Sequence, residues 1–185
     1  VRLHKVELQP KRLPTGQSLV IHLRHDRSSL RARIDAEEAV FGAVLNNLGC
    51  LYHLRHKDTL ARDLYQLAIE VKSTAGGGDL LGLSTTYSNL SGSLLLSGDV
   101  EHALSMSLDA CEIDSRTLPA YHPHLAIDQI GLADAYLASG QLLKAQGIYS
   151  GALATLLQTL PETHADVIRC KARCAFVSRK LQSLV

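Results

Sequence analysis

Cys170 and Cys174 stand four residues apart with His164 upstream, and on a helix that spacing puts both thiols on one face. Two thiolates and an imidazole make three of the four ligands of a tetrahedral zinc site. No fourth ligand is indicated, and Cys174 falls in a slot that the rest of the chain fills with Leu, so packing is the reading taken and no metal site is expected. His122 and His124 flank a turn proline, and His53 and His56 sit near the end of one helical segment, so neither pair forms a ligand set. Gly76-Gly77-Gly78 lacks the Gly-Lys-Ser/Thr of a phosphate loop and follows a helical pattern rather than a strand, which makes it a hinge. No Ser, Cys or carboxylate lies in a nucleophile or acid–base motif, so no catalytic residue, no cofactor and no enzymatic activity are expected. Arg169 and Arg173, four apart, could meet one acidic group together; the competing reading is a solvated helix face.

The elements that would position these residues follow from composition and period. A chain of 185 residues, 46% hydrophobic and 20% charged, supports one domain with a continuous core. Aromatics make up 4%, with no Trp and two Phe, so the core is built from Leu, Ala, Ile and Val, which suits tightly packed helices and an all-α class. The net charge of +1 hides an uneven distribution. Residues 1–35 carry Arg2, Lys5, Lys11, Arg12, Arg24, Arg27, Arg31 and Arg33 against Glu7, Asp26 and Asp35, and a second basic cluster (Arg169, Lys171, Arg173, Arg179, Lys180) closes the chain.

Cys50, Cys111, Cys170 and Cys174 do not make a disulfide framework without a secretory h-region, so a reducing, cytoplasmic setting is expected, with an organelle lumen or matrix left open by the Arg-rich start. No apolar run approaches the length of a membrane span. The first residue is Val, which leaves open a processed chain or a fragment of a larger protein.

The chain repeats itself every 42 residues. Leu48, Leu90, Leu132 and Cys174 align, each followed by a small residue: Gly49, Ser91, Ala133 and Ala175. Thirteen positions after each Leu stands Ala61, Ala103 or Ala145, and seven further on stands Ala68, Ala110 or Ala152. Tyr52, Leu94 and Tyr136 share one slot, and Tyr65, Ser107 and Tyr149 another, where only Ser107 falls out of line. The connectors recur too: Thr117-Leu118-Pro119 and Thr159-Leu160-Pro161. Each unit is therefore two helices whose small residues let the backbones approach while Leu and Tyr fill the remaining space. Ser97-Gly98-Asp99 and Ser139-Gly140-Gln141 supply the turn within a unit, the glycine taking φ > 0 and Asp99 capping the next helix. The spacing predicts helices near 36–54, 58–73, 80–97, 99–117, 123–139, 141–158 and 164–181, with a weaker one near 17–34.

Leu48-Gly49-x-x-Tyr52, followed by Ala61-x-x-x-Tyr65 and Ala68, resembles the tetratricopeptide repeat. The 42-residue spacing, Leu45-Asn46-Asn47-Leu48-Gly49 and Tyr121-His122-Pro123-His124-Leu125-Ala126 are similar to the longer variety in kinesin light chains. The resemblance covers about residues 36–181, three repeats and the first helix of a fourth, within a domain taken as 36–185. Residues 1–35 form a basic segment that could be a degenerate half repeat, with Leu19, Leu23 and Asp26 where Ala, an aromatic and Ala are expected.

The resemblance implies an α-solenoid of stacked antiparallel helix pairs, a right-handed superhelix whose first helices line a concave groove for a peptide or partner helix. In such repeats the residue before the key Leu faces the groove; here that row is Asn47, Asn89, Gly131 and Arg173, with Cys50, His53, Asp134 and Arg169 beside it. An Asn amide offers donors and an acceptor, so it can pair with a bound backbone; the alternative is an Asn bonded within its own protein. The function expected is a scaffold or adaptor that binds a protein or peptide. The alternative is a ligand- or peptide-sensing regulatory module of a larger protein. Nucleic-acid binding is disfavoured by scattered basic residues and few aromatics.

Overall fold

The computed structural model describes residues 37–74 and 79–184. Among them seven helices follow one another: α1 (37–54), α2 (Asp58–Thr74), α3 (Leu80–Leu96), α4 (Val100–Thr117), α5 (Pro123–Ala138), α6 (Leu142–Thr159) and α7 (Ala165–Gln182). The expected helix near 17–34 and the glycine triplet lie outside the described residues.

The turn chemistry decides where each helix stops. Gly98 and Gly140 adopt φ of 81° and 80°, the left-handed region that ends α3 and α5 at little steric cost. The first repeat has no glycine there, and His56 takes φ 56° instead. Asp99 caps α4 by accepting from the His102 amide, and Pro123 opens α5 at its first turn. His122 and His164 are the N-caps of α5 and α7, each accepting on Nδ1 from the amide two residues on. The recurring histidine of the connectors is thus a cap.

Helices sequential in the chain pack on one another, and α3 also meets α5, and α5 meets α7. The odd-numbered helices therefore share one layer and the even-numbered ones the other. Ala61, Ala68, Ala103, Ala110, Ala145 and Ala152, the six alanines of the repeat, are fully buried between the layers. Tyr65 and Tyr149 fill the space beside them. Where the second repeat has Ser107 in place of the tyrosine, the structure shows how the gap is closed. Ser91 Oγ donates to the Ala103 carbonyl at 2.9 Å, so its bond to Ser107 at 2.6 Å must be donated by Ser107. Two hydroxyls replace one ring, both satisfied.

At the first repeat the close approach needs a glycine. A Cβ on Gly49 would lie 2.6 Å from Cε1 and 2.8 Å from Cδ1 of Tyr65, a ring that is itself buried. Gly49→Ala is expected to destabilise the chain by about 1 kcal/mol, since overpacking costs about 1–3 kcal/mol and the helix propensity of Ala returns about 1. Urea unfolding of the two proteins measures it; a Gly49→Ala chain at least as stable as the parent would mean that the ring yields freely.

At the chain's end Val177 is fully buried against α5 and α6, whereas Phe176 stays 46% exposed on the outer side of α7.

Candidate functional site: the odd-helix face

Two adjoining depressions run along the layer of odd-numbered helices. One, of about 240 Å³, is lined by Ser88, Asn89 and Gly92 of α3, Gly131 and Asp134 of α5, and Arg169 of α7, among others. The next, of about 430 Å³, reaches from His53 of α1 across Gly92, Leu95 and Leu137 to Asp134 and Arg173. A Cβ on Gly92 or on Gly131 would meet nothing within 4 Å, so the floor is open above both backbones.

The fold brings five of the seven sequence-selected residues to these depressions: Asn89, His53, Asp134, Arg169 and Arg173. Asn89 is half-buried, and its Nδ2 donates to Asn46 Oδ1 at 2.9 Å and to Cys50 Sγ at 3.5 Å, tying α3 to α1. Its amide oxygen takes no hydrogen bond among the described residues. Asn47 is exposed, lines neither depression, and accepts from Asn46 Nδ2 at 3.4 Å. The two asparagines in register thus do unlike things: Asn89 reaches back to Asn46 of the preceding repeat, while Asn47 meets its own neighbour Asn46. His53 Nδ1 lies 3.3 Å from Asp58 Oδ1 at the start of α2.

The arginines take separate acceptors. Arg173 Nε meets Asp134 Oδ1 at 3.0 Å, across helices, while Arg169 pairs with Asp166 of its own helix at 3.1 Å. The same Asp134 oxygen accepts from the hydroxyl of the fully buried Tyr149. One carboxylate therefore joins α5, α6 and α7. Burial and the neighbouring Asp134 charge push the Tyr149 hydroxyl well above the ordinary tyrosine range, so it remains a donor.

Cys170 is fully buried and its thiol donates to the Tyr149 carbonyl at 3.4 Å. Asn46 and Tyr149 are the site's residues that sequence reasoning passed over. The doubled Asn46-Asn47 was a signal that one of the two would be the partner of the next repeat, but a 42-residue register does not say which.

Residues 41–116 match the tetratricopeptide repeat family. Solved structures extend the likeness across the stack. The chain is 19% identical to a Podosopora anserina kinesin light chain with nearly identical TPR-like repeats, with a TM-score of 0.66 over 80% of this chain and 66% of that one. It is 21% identical to BtubC (BKLC) from P. vanneervenii, with a TM-score of 0.69 over 77% of this chain and 57% of that one. The apo form of RapI is 16% identical, with a TM-score of 0.67 over 80% of this chain and 39% of RapI. The chain thus spans less than two thirds of each of these proteins, and identities this low establish the tetratricopeptide-repeat solenoid as the fold. No curated protein sequence matches the chain. Among the described residues no helix is long and apolar enough to cross a membrane.

Proposed function

We propose that the chain is a non-catalytic protein-interaction scaffold whose odd-helix groove receives an extended peptide or a partner helix. The observation that carries this reading is the pair of continuous depressions on α1, α3, α5 and α7, open over Gly92 and Gly131. Their lining suits a peptide. Leu95 and Leu137 offer apolar contact for alternate side chains, and the amide oxygen of Asn89 accepts a backbone N–H without reading sequence. Arg169 and Arg173, each about half exposed, keep donors toward solvent for an acidic group on the ligand. The interaction domain is taken as residues 36–185, with the basic segment 1–35 preceding it.

Peptides selected from a displayed library against the 185-residue chain test this. Added to ¹⁵N-labelled chain, a selected peptide is expected to shift the amide resonances of His53, Asn89, Gly92, Asp134 and Arg173 and to leave those of α2, α4 and α6 in place. Shifts confined to the even helices would overturn the reading.

A further inference from the structure

Each junction between repeats buries one side chain near the end of the second helix, and the three differ in charge. Lys72, Asp114 and Leu156 occupy that place in turn, 42 residues apart, and all are buried. Lys72 is matched by Asp79, the N-cap of α3. Leu156 packs in an apolar cluster with Val167 and Cys170. Asp114 has neither arrangement. It faces a second buried carboxylate, Asp128 of α5, which stands where the neighbouring repeats have Thr86 and Cys170.

Between the two lies His124. Its Nδ1 is 2.6 Å from Asp114 Oδ2 and 3.9 Å from Asp128 Oδ2, and the three atoms lie within 4.8 Å of one another. Asp114 and Asp128 are 0% and 3% exposed, and His124 is the sole basic side chain within ion-pair distance of either among the described residues. Two buried oxygens, Asp114 Oδ1 and Asp128 Oδ2, have no hydrogen-bond partner. A buried carboxylate oxygen left in that state costs about 1–3 kcal/mol or more.

The hydrogen bonds around the ring fix which nitrogen faces the carboxylates. Thr85 Oγ1 donates to the Leu81 carbonyl at 2.9 Å, so its 3.2 Å contact with His124 Nε2 must be a bond donated by Nε2–H. Nδ1 then faces the two carboxylates, 2.6 Å from Asp114 Oδ2, and is filled either by a proton shared with that oxygen or by a metal cation. With both carboxylates ionised, a proton on Nδ1 leaves the cluster with one net negative charge and Asp114 Oδ1 and Asp128 Oδ2 still without a partner. A divalent ion makes it neutral and gives both oxygens a partner. Thr85 on Nε2–H and Ser88, which donates to Asp128 Oδ1 at 2.6 Å, then supply the outer hydrogen bonds that orient metal ligands.

The geometry points to a binding site for a divalent first-row transition cation, with His124 Nδ1, Asp114 and Asp128 as protein ligands and water completing the sphere. One imidazole and two carboxylates suit Zn²⁺ or a related ion, and the partly exposed edge of His124 gives it a way in.

Zn²⁺ alone is the probe, titrated calorimetrically into the intact chain. One ion is expected to bind, and Asp128→Asn and His124→Gln each weaken that binding by more than about tenfold, since even outer-shell partners of a metal account for that much. Asp128→Asn removes a buried charge and should itself raise the melting temperature of metal-free chain, while abolishing the further rise that Zn²⁺ gives the parent. A variant that fails to fold is thereby told apart from one that fails to bind. Co²⁺ separates the ligand sets: d–d absorption without a thiolate charge-transfer band is expected, unchanged in Cys170→Ser and Cys174→Ser. Zn²⁺ binding that survives Asp128→Asn, a thiolate band lost with Cys174, or no uptake by the parent would each overturn the assignment.

Discussion

Asp134→Ala is expected to lower the stability of the chain by about 2–3 kcal/mol, the largest single loss on the odd-helix face. The carboxylate is the acceptor of the Tyr149 hydroxyl, and Tyr149 is fully buried. Removing the acceptor leaves a buried O–H with no partner, which costs about 1–3 kcal/mol. The companion ion pair adds little, since Arg173 is 46% exposed and such pairs contribute at most about 1 kcal/mol. Tyr149→Phe removes the donor along with the need for it and should cost about 1 kcal/mol. The decisive measurement is a double-mutant cycle by urea denaturation. Once Tyr149→Phe is in place, Asp134→Ala should cost much less than it does alone. Additive effects would show that Asp134 acts through Arg173 or through its own helix instead.

Gly92→Leu should move stability and binding in opposite directions. Gly92 sits within α3 with nothing within 4 Å of where a Cβ would lie. Leu in place of Gly therefore gains about 0.5–1 kcal/mol of helix propensity with no clash to offset it. The same side chain projects into both depressions, because Gly92 lines each of them. Peptide affinity should fall at least about tenfold, equivalent to about 1.4 kcal/mol. Gly147→Leu on α6 is the control: its Cβ position is equally open, but it lines neither depression. It should gain the same stability and leave affinity unchanged. Fluorescence anisotropy with a selected peptide reads both variants, and unaltered binding by Gly92→Leu would remove the groove from the mechanism.

Gly49 and Gly131 illustrate what a sequence can and cannot carry. Gly49 is legible as a packing residue, since it falls in a slot held elsewhere by Ser91, Ala133 and Ala175, and the fold presses Tyr65 against it. Gly131, in the row of Asn47 and Asn89, looks from the sequence like a gap in a ladder of amides. The fold makes it part of an open floor, and the ladder itself dissolves because Asn89 turns to Asn46.

What the sequence determined by itself is the architecture: the 42-residue period, the six alanines, the glycines that end α3 and α5, and from these the helix pairs and their order. Such features are legible because they act on the backbone. A small residue sets how closely two helices approach and a positive φ sets where one stops, whatever surrounds them. Only the tertiary structure decided the partners of the longer polar side chains. Asp134 could have remained free for a ligand, yet it joins Tyr149 and Arg173; His124 and Asp128 stand four apart on α5, but Asp114 comes from α4 across a connector, and no spacing announces that third residue. A polar side chain of several rotatable bonds can reach many acceptors, and which one it meets depends on how far one helix pair is displaced against the next. No period in the chain records that displacement.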